Sequence, residues 1–306
     1  MFQIVRIPAD APEAAEPLGT KDKFWYHDHQ SLFKKARPGT GEDWAEKIAE
    51  QVAAFLTLPH ATYEMADWET DSGVERGVVS RNFCERGAAL VLGNELLAEA
   101  DPDYAVGAIS KFHVPTHTVE RVVHTFRQRR PDLPLDWTPP PYVENACDAF
   151  IGYLLLDAVV GNTDRHHENW GFIRTVGGEF HLAPTFDHAS SLGRNLRDDD
   201  RARRLRTRDR NSDVAAFSRR ARSALFRREA DARALLTSEA LAEAAHLSPR
   251  AALGWLERLA LMTDVEIGTI VGSVPQDRIS ATAAEFARMV MCQNRVRLLA
   301  MREDLQ

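Results

Sequence analysis

The chain has 306 residues, of which 44% are hydrophobic and 27% charged. Because a single core usually stops growing near this length, we expect two packed units of unequal size. The apolar content excludes a generally disordered chain, and no run of 18 apolar residues predicts a membrane span. Residues 1–11 carry charges and lack the apolar stretch of a signal peptide. We therefore expect a soluble, cytoplasmic protein.

The net charge of −7 conceals one basic segment on an otherwise acidic chain. From Arg194 to Arg233 there are fourteen arginines and seven acids. Residues 194–210 contain few large apolar side chains, which predicts a mobile surface loop. A nucleic-acid-binding surface is the less favoured alternative, because the arginines are accompanied neither by aromatic residues nor by a known nucleic-acid-binding motif. Three scattered cysteines exclude a disulfide framework and a cysteine zinc site, and we expect buried, inert thiols.

The first 86 residues show the turn signals and short apolar runs of a small, mainly antiparallel sheet. A capped helix is expected between them, because Trp44, Ile48 and Val52 recur at helical spacing from Thr40 until Pro59. The strands are predicted within Phe2–Ile7, Lys23–Tyr26 and Ser31–Arg37, and a hairpin is predicted from Ala61–Trp68 and Glu75–Phe83.

From residue 87 onward the apolar spacing becomes helical, with one interruption. A short hairpin is expected within residues 169–193, around Val176-Gly-Gly. The pattern predicts an α+β protein with a sheet-plus-helix unit over residues 1–86 and a mainly helical unit over residues 87–306. Its helices are predicted at Ala88–Ala100, Val114–Phe126, Val143–Val160, Thr237–Ala245, Pro249–Met262 and Ala281–Glu303.

The residues with the clearest chemistry follow the long apolar segment that ends at Val160. The next ten residues read GNTDRHHENW and contain Asp164 and Asn169, five positions apart. Asp187 follows the predicted hairpin, which returns the chain toward the loop that contains Asp164 and Asn169. Two carboxylates and an amide oxygen are the groups that phosphoryl transfer requires, one to take the acceptor proton and others to hold Mg²⁺. Their order and spacing match the kinase template.

Several segments together resemble the HipA-like family of bacterial serine/threonine kinases. The sequence DRHxxN at residues 164–169 also resembles the catalytic loop of the phosphatidylinositol 3- and 4-kinases. The resemblance implies a two-lobe kinase fold that uses ATP and Mg²⁺ to phosphorylate a serine or threonine. It spans most of residues 18–193 and is carried by LFK at 32–34, GEDWAEKIA at 41–49, GVVSRNF at 77–83, the catalytic loop and LAPTFDH at 182–188.

The resemblance assigns roles to individual positions. It places the catalytic base on Asp164, assisted by His166, and the metal ligands on Asn169 and Asp187. It places the lysine that binds the nucleotide phosphates on Lys34.

A helix glutamate holds this lysine in kinases. Glu46 and Glu50 share the polar face of the predicted helix, and we prefer Glu46. Lys35 is expected on the opposite face of the strand.

The nucleotide-binding loops depart from the common kinase pattern. No G-x-G-x-x-G is present, and Gly19, Thr20 and Lys21 occupy the corresponding turn, where a plain solvated turn is the alternative. The resemblance makes Thr20 a candidate for autophosphorylation. Residues 81–84, with Arg81 and Phe83, are the candidate adenine hinge. Further candidate phosphosites near arginines are Ser190, Ser191, Thr207 and Ser212.

Two alternatives stay open beside an active kinase. A pseudokinase of the same fold would bind the nucleotide and act as a regulator. A metal-dependent phosphohydrolase would instead use His166, His167, His181 and His188 with carboxylates. For the kinase, the acceptor is expected to be a protein, and the resemblance leaves room for a regulatory protein partner. It does not imply a role in growth arrest.

Overall fold

A six-stranded sheet with one helix packed on it forms the amino-terminal part of the protein. The computed structural model describes residues 1–16, 22–101, 104 and 113–305. The strand order is β1-β5-β6-β4-β3-β2, and all neighbours are antiparallel except β1 and β5, which run parallel. The strands are β1 (Ile4–Ile7), β2 (Ala14–Ala15), β3 (Lys23–Tyr26), β4 (Ser31–Lys35), β5 (Tyr63–Thr70) and β6 (Gly73–Arg81).

Helix α1 (Glu42–Phe55) packs against this sheet and against the helical part of the chain. Its apolar stripe, which includes Trp44, Ile48 and Val52, is buried as the helical spacing predicts. Glu46 on the same helix is also buried, which places a carboxylate inside the protein. The hairpin predicted around residues 70–73 is confirmed, with Thr70 opposite Gly73.

Residues 89–92 correct one prediction. The segment Ala88–Ala100 was expected to be a single helix, but its first part is strand β7 (Ala89–Leu92) and only the rest is helix α2 (Gly93–Ala100). A short apolar run fits either structure. The change falls at Gly93, where a side chain would not fit, because a Cβ there would lie 2.6 Å from the His167 carbonyl oxygen. The amides of Gly93 and Asn94 donate to Trp170 and His167, so α2 begins on the predicted catalytic loop.

The hairpin predicted within residues 169–193 is confirmed and joins β7 in a second, three-stranded sheet. Its strands are β8 (Gly171–Arg174) and β9 (Phe180–Leu182), in the order β7-β8-β9. Helix α3 (Val119–Arg129) precedes them, and α4 (Ala146–Val160) runs through the centre of the helical part. Helix α4 ends at Gly161, whose left-handed φ of 66° turns the chain into the polar loop that follows.

The arginine-rich segment is helical, so the mobile loop expected there is wrong. It forms α5 (Asp198–Arg206) and α6 (Val214–Arg219). Acids in the first turn of α5 and arginines in its last turn complement the helix dipole. Arg201 is buried against the Trp44 ring, 5.8 Å from its centroid, and bonds to Asp198. The prediction assumed that a packed helix needs large apolar residues. In α5 the long side chain of Arg201, paired with Asp198, takes that role.

The remaining helices complete the carboxyl-terminal part. Helix α9 was not predicted, although Thr263 and Glu266 form a capping box at its start. The helices are α7 (Thr237–Ala245), α8 (Pro249–Ala260), α9 (Asp264–Gly272), α10 (Ala281–Ala300) and α11 (Arg302–Leu305). None of the helices in the described residues is long and apolar enough to cross a membrane.

Arg278, just before α10, ties the two parts together. Its buried guanidinium lies 3.2 Å from Asp43 of α1 and 2.5 Å from Asp67 of β5. The amide of Phe2, just before β1, also donates to the carbonyl of Ser273. These contacts hold the sheet in a defined position relative to the helices.

His117 yields a pH prediction, because it is buried as a neutral ring. Its Nε2 accepts from the Trp170 indole at 3.2 Å, and its Nδ1 lies 3.1 Å from the carbonyl oxygen of Ala224. Burial, reinforced by the nearby His167, lowers the pKa of His117 to about 3. Protonation of His117 therefore favours the unfolded state. Stability is lost as the pH falls below 6.5, the ordinary pKa of the histidine in the unfolded chain.

We expect protonation linked to His117 alone to lower the free energy of unfolding by about 2 kcal/mol when the pH falls from 7 to 5. Urea denaturation of the wild type and of His117→Gln measures the effect as the difference between their pH profiles. His246→Gln, at an exposed position, is the control and should keep the wild-type slope. Parallel profiles for the wild type and His117→Gln would contradict the prediction.

Candidate active site

An ion pair joins the sheet to the segment after the hairpin. Lys34 of β4 places its Nζ 3.0 Å from Oδ2 of Asp187. Burial opposes the charge on Lys34, but the carboxylates of Asp187 and Glu46 outweigh burial and raise the pKa of Lys34. A protonated ammonium group therefore faces a carboxylate at neutral pH. Lys35 lies on the other face and pairs with Glu75 at 3.1 Å.

Glu46 and Tyr63 fix the backbone around Asp187. The amide of His188 donates to Oε1 of Glu46 at 2.7 Å, and the amide of Asp187 donates to the Tyr63 hydroxyl at 3.1 Å. Burial and these same carboxylates raise the pKa of Tyr63 well above its ordinary value, so it stays a neutral phenol. Glu50, by contrast, pairs with Lys47 at 3.1 Å. Of Glu46 and Glu50, Glu46 is therefore the one that contacts the segment of Asp187.

Asp187 has a left-handed backbone with a φ of 60°, which is uncommon for a residue with a side chain. The two backbone bonds to α1 and β5 hold it there. Such conformations persist where the surroundings fix them and are concentrated at functional sites.

The loop after α4 is built around the guanidinium of Arg165. Its Nε and Nη2 donate to the two carboxylate oxygens of Asp157 at 2.7 and 2.8 Å, and both side chains are buried. Its Nη1 donates to the carbonyl of Asn169, and its Nη2 also donates to Thr185. One side chain therefore connects α4, the loop and the strand end that leads to Asp187.

Asp164, His166 and Asn169 lie together in this loop. The Asn169 Nδ2 donates to the Asp164 carbonyl at 2.7 Å, which leaves the Asn169 amide oxygen as the atom that can ligate a cation. Nδ1 of His166 accepts from the Glu168 amide, so its proton is on Nε2, which lies 3.6 Å from Oδ1 of Asp164. His166 is thereby oriented toward the predicted base.

Ser190 contacts Asp164, which the sequence did not reveal. The Ser190 hydroxyl donates to Oδ2 of Asp164 at 3.2 Å, and Nη2 of Arg194 donates to the same hydroxyl at 2.9 Å. Arg194 also pairs with Glu42 at the start of α1. The sequence marked Ser190 only as a serine near arginines, because its distance from Asp164 depends on how the chain turns after Asp187.

The candidate adenine hinge is an ordered turn after β6. The Asn82 amide donates to the Gln30 carbonyl and the Cys84 amide donates to the Asn82 side chain, so both are engaged within the protein. Phe83 packs on Phe186 with ring centroids 5.7 Å apart, and Arg81 is exposed at the strand end. A cavity of about 590 Å³ adjoins this turn. The role of Arg81 and Phe83 stays a prediction.

The candidate phosphate-binding turn cannot be placed in the same way. Gly19, Thr20 and Lys21 lie outside the described residues. Strand β3 follows this turn, and its first residue, Lys23, pairs with Lys34.

The histidines of the phosphohydrolase alternative have other partners. His167 Nδ1 lies 2.6 Å from the Tyr104 hydroxyl, His181 Nδ1 lies 2.9 Å from the Leu133 carbonyl, and His188 Nε2 lies 2.7 Å from the Thr185 hydroxyl. In the part of the chain that the structure describes, no three His, Cys, Asp or Glu side chains form a group that could hold a metal ion.

The remaining donor set suits a hard cation held together with phosphates. Asp187 offers a carboxylate and Asn169 an amide oxygen, the ligand types that Mg²⁺ prefers. Lys34 beside Asp187 supplies a point charge for a phosphate, and Asp164 supplies a carboxylate at hydrogen-bond distance from a hydroxyl. The residues present therefore fit a magnesium nucleotide.

Comparison with protein families supports the resemblance seen in the sequence. Residues 109–248 match the family model of the HipA-like C-terminal domain. This match contains the predicted catalytic loop and Asp187, and it confirms the predicted resemblance to HipA-like proteins. No curated protein sequence matches the chain.

Two solved structures share the fold. The Helicobacter pylori proinflammatory kinase CtkA aligns with a TM-score of 0.72 at 17% identity, over 99% of this chain and 98% of that one. HipA of the toxin–antitoxin system of Shewanella oneidensis, solved with HipB and operator DNA, aligns with a TM-score of 0.52 at 11% identity, over 97% of this chain and 68% of that one. At these identities the likeness shows the fold. The predicted α+β, two-lobe kinase-like architecture is confirmed.

The buried Arg165–Asp157 pair gives a stability prediction. Arg165→Met leaves the Asp157 carboxylate buried without its partner, and we expect the free energy of unfolding to fall by about 3–5 kcal/mol. The double variant Arg165→Met/Asp157→Leu removes both charges and should recover part of this loss. Arg288→Met, which breaks an exposed pair with Glu285, should cost less than about 1 kcal/mol. Chemical denaturation checks all three, and a loss for Arg165→Met no larger than that for Arg288→Met would contradict the prediction.

Proposed function

We propose that the protein is an ATP-dependent kinase, because residues 109–248 match the family model of the HipA-like C-terminal domain and the chain has a kinase-like fold. It transfers the γ-phosphoryl group of ATP, with Mg²⁺, to a serine or threonine hydroxyl of a protein. Autophosphorylation is part of this proposal. The serine or threonine target comes from the family resemblance, whereas the site's own residues support transfer to a hydroxyl.

The single observation that carries the proposal is the 3.0 Å contact between Lys34 and Asp187. One residue comes from a strand of the sheet and the other from the segment after the hairpin, 153 positions later. A kinase requires such a pair, because the lysine would bind the α- and β-phosphates while the carboxylate would hold the Mg²⁺ that neutralises phosphate charge.

We propose that the chain forms two lobes, divided between the two sheets. Strand β6 ends the larger sheet at Arg81, and β7 begins the second sheet at Ala89. We therefore propose residues 1–86 as the lobe that contributes Lys34 and Glu46, and residues 87–306 as the lobe with Asp164, Asn169 and Asp187.

Each residue of the site has a defined task in the proposed reaction. Asp164 orients the acceptor hydroxyl and takes its proton, and His166, whose Nε2 lies 3.6 Å from the Asp164 carboxylate, assists it. Asn169 and Asp187 would hold Mg²⁺, which neutralises charge on the phosphates when bound. Lys34 binds the α- and β-phosphates, and Glu46 keeps the backbone at His188, and hence Asp187, in place.

Substitution of the two carboxylates tests the function. Asp164→Asn and Asp187→Asn should each reduce phosphoryl transfer by roughly 10²-fold or more, because the first removes the base and the second a metal ligand. Asp187→Asn should in addition weaken the Mg²⁺-dependent affinity for ATP. The measurement is label transfer from γ-labelled ATP to the chain and to casein, with calorimetry for nucleotide binding.

Asp71→Asn at the exposed hairpin turn is the control and should retain wild-type transfer. Thermal unfolding confirms that the variants are folded. Undiminished transfer in Asp164→Asn or Asp187→Asn would contradict the proposal. ATP binding by the wild type without transfer to any acceptor would point to a pseudokinase instead.

A further inference from the structure

We propose that Ser190 is the acceptor hydroxyl of an intramolecular phosphorylation at this site. The inference rests on the proposed kinase function and goes beyond it by naming the modified atom. Three observations carry it: the contact with Asp164, the backbone bonds that fix this contact, and the arginines that surround the hydroxyl.

The first observation is the position of the hydroxyl. Ser190 Oγ donates to Oδ2 of Asp164 at 3.2 Å. A general base must lie at this distance from the proton that it removes. Ser190 follows Asp187 by only three residues, so their Cα atoms lie at most about 11 Å apart. The hydroxyl thus contacts the predicted base and lies three residues along the chain from the predicted metal ligand.

The second observation is that the backbone fixes this contact. The amide and the hydroxyl of Thr163, the residue before Asp164, both donate to the Ser190 carbonyl, at 3.1 and 3.3 Å. The amide of Leu192 donates to the carbonyl of Val160 at the end of α4. Ser190 and Asp164 therefore remain adjacent whichever rotamer the serine adopts.

The third observation is the positive charge around the hydroxyl. Arg194 Nη2 donates to Ser190 Oγ at 2.9 Å, and a cavity of about 280 Å³ contains Ser190, Arg194, Arg204 and Arg220 in its lining. A phosphoserine carries about −1.5 to −2 charges at pH 7. The carboxylate of Asp164 would repel this charge, and the arginines of the cavity would attract it. The product is therefore directed away from the base after transfer.

The other hydroxyls of the segment are directed elsewhere. The Ser191 hydroxyl is buried and donates to the His188 carbonyl at 2.8 Å. The Ser212 hydroxyl donates to Asp209, and the Thr207 hydroxyl accepts from the Asp209 amide. These contacts separate Ser190 from the other candidate phosphosites near arginines.

The step balances with ATP as the only co-reactant. The bond from the γ-phosphorus to the β,γ-bridging oxygen breaks, and a bond from Ser190 Oγ to the γ-phosphorus forms. The hydroxyl proton passes to Asp164, and ADP leaves. Neither an oxidant nor a reductant is required.

Phosphosite mapping of the full chain tests the inference. The protein is incubated with γ-labelled ATP and Mg²⁺ and then digested for mass spectrometry. We expect the label at residue 190, its loss at that position in Ser190→Ala, and its retention at that position in Ser190→Thr, which keeps a hydroxyl. Ser212→Ala is the matched control and should leave the label at residue 190 unchanged.

A mixing experiment distinguishes intramolecular from intermolecular transfer. Wild-type protein is incubated with a size-tagged Lys34→Ala variant, which keeps Ser190 but lacks the lysine for ATP. The inference predicts label in the wild type and none in the variant. Label at residue 190 of the variant would overturn the intramolecular route.

Two further outcomes overturn the inference and differ in what they say of the function. Label confined to Thr20, Ser212 or casein, with transfer that depends on Asp164, removes Ser190 as the acceptor and leaves the kinase proposal standing. Absence of all transfer by the wild type removes both.

Discussion

A single buried guanidinium organises the centre of this protein. Arg165 bonds to both carboxylate oxygens of Asp157, to the Asn169 carbonyl and to the Thr185 hydroxyl. Since a buried charge is tolerated only when its hydrogen bonds are satisfied, these partners have little freedom to separate. The end of α4, the catalytic loop and the strand end before Asp187 therefore share one anchor. The spacing of the proposed base and metal ligands follows from that anchor.

The sheet is connected to this centre through charge as well as apolar packing. Lys34 pairs with Asp187, and Glu46 accepts a hydrogen bond from the backbone amide of His188. Arg278, which precedes α10, pairs with acids of α1 and β5. Proposed nucleotide binding would place phosphates and a metal between Lys34 and Asp187. The ion pair thus marks the place where a magnesium nucleotide would bind. The ammonium group would then contact the phosphates, and the carboxylate would contact the metal.

Local patterns in the sequence were sufficient for most elements, and they also gave the candidate site residues, whose roles stay proposals. The sheet, α1, α4 and the hairpin follow from apolar spacing and turn residues, and Lys34, Asp164 and Asp187 follow from spacing and family resemblance. The strand at Ala89–Leu92 was missed because four apolar residues suit either structure, and α5 because Arg201 replaces an apolar residue. The Ser190–Asp164 and Arg165–Asp157 contacts depend on tertiary turns, which no local pattern encodes.

The most direct test of the central claim is a crystal structure with Mg²⁺ and a non-hydrolysable ATP analogue. The account predicts that Lys34 Nζ contacts the α- and β-phosphates, that the Asn169 amide oxygen and the Asp187 carboxylate ligate the metal, and that the terminal phosphate faces Asp164. A nucleotide bound elsewhere, with Lys34 and Asp187 still paired and no phosphate beside them, would contradict it.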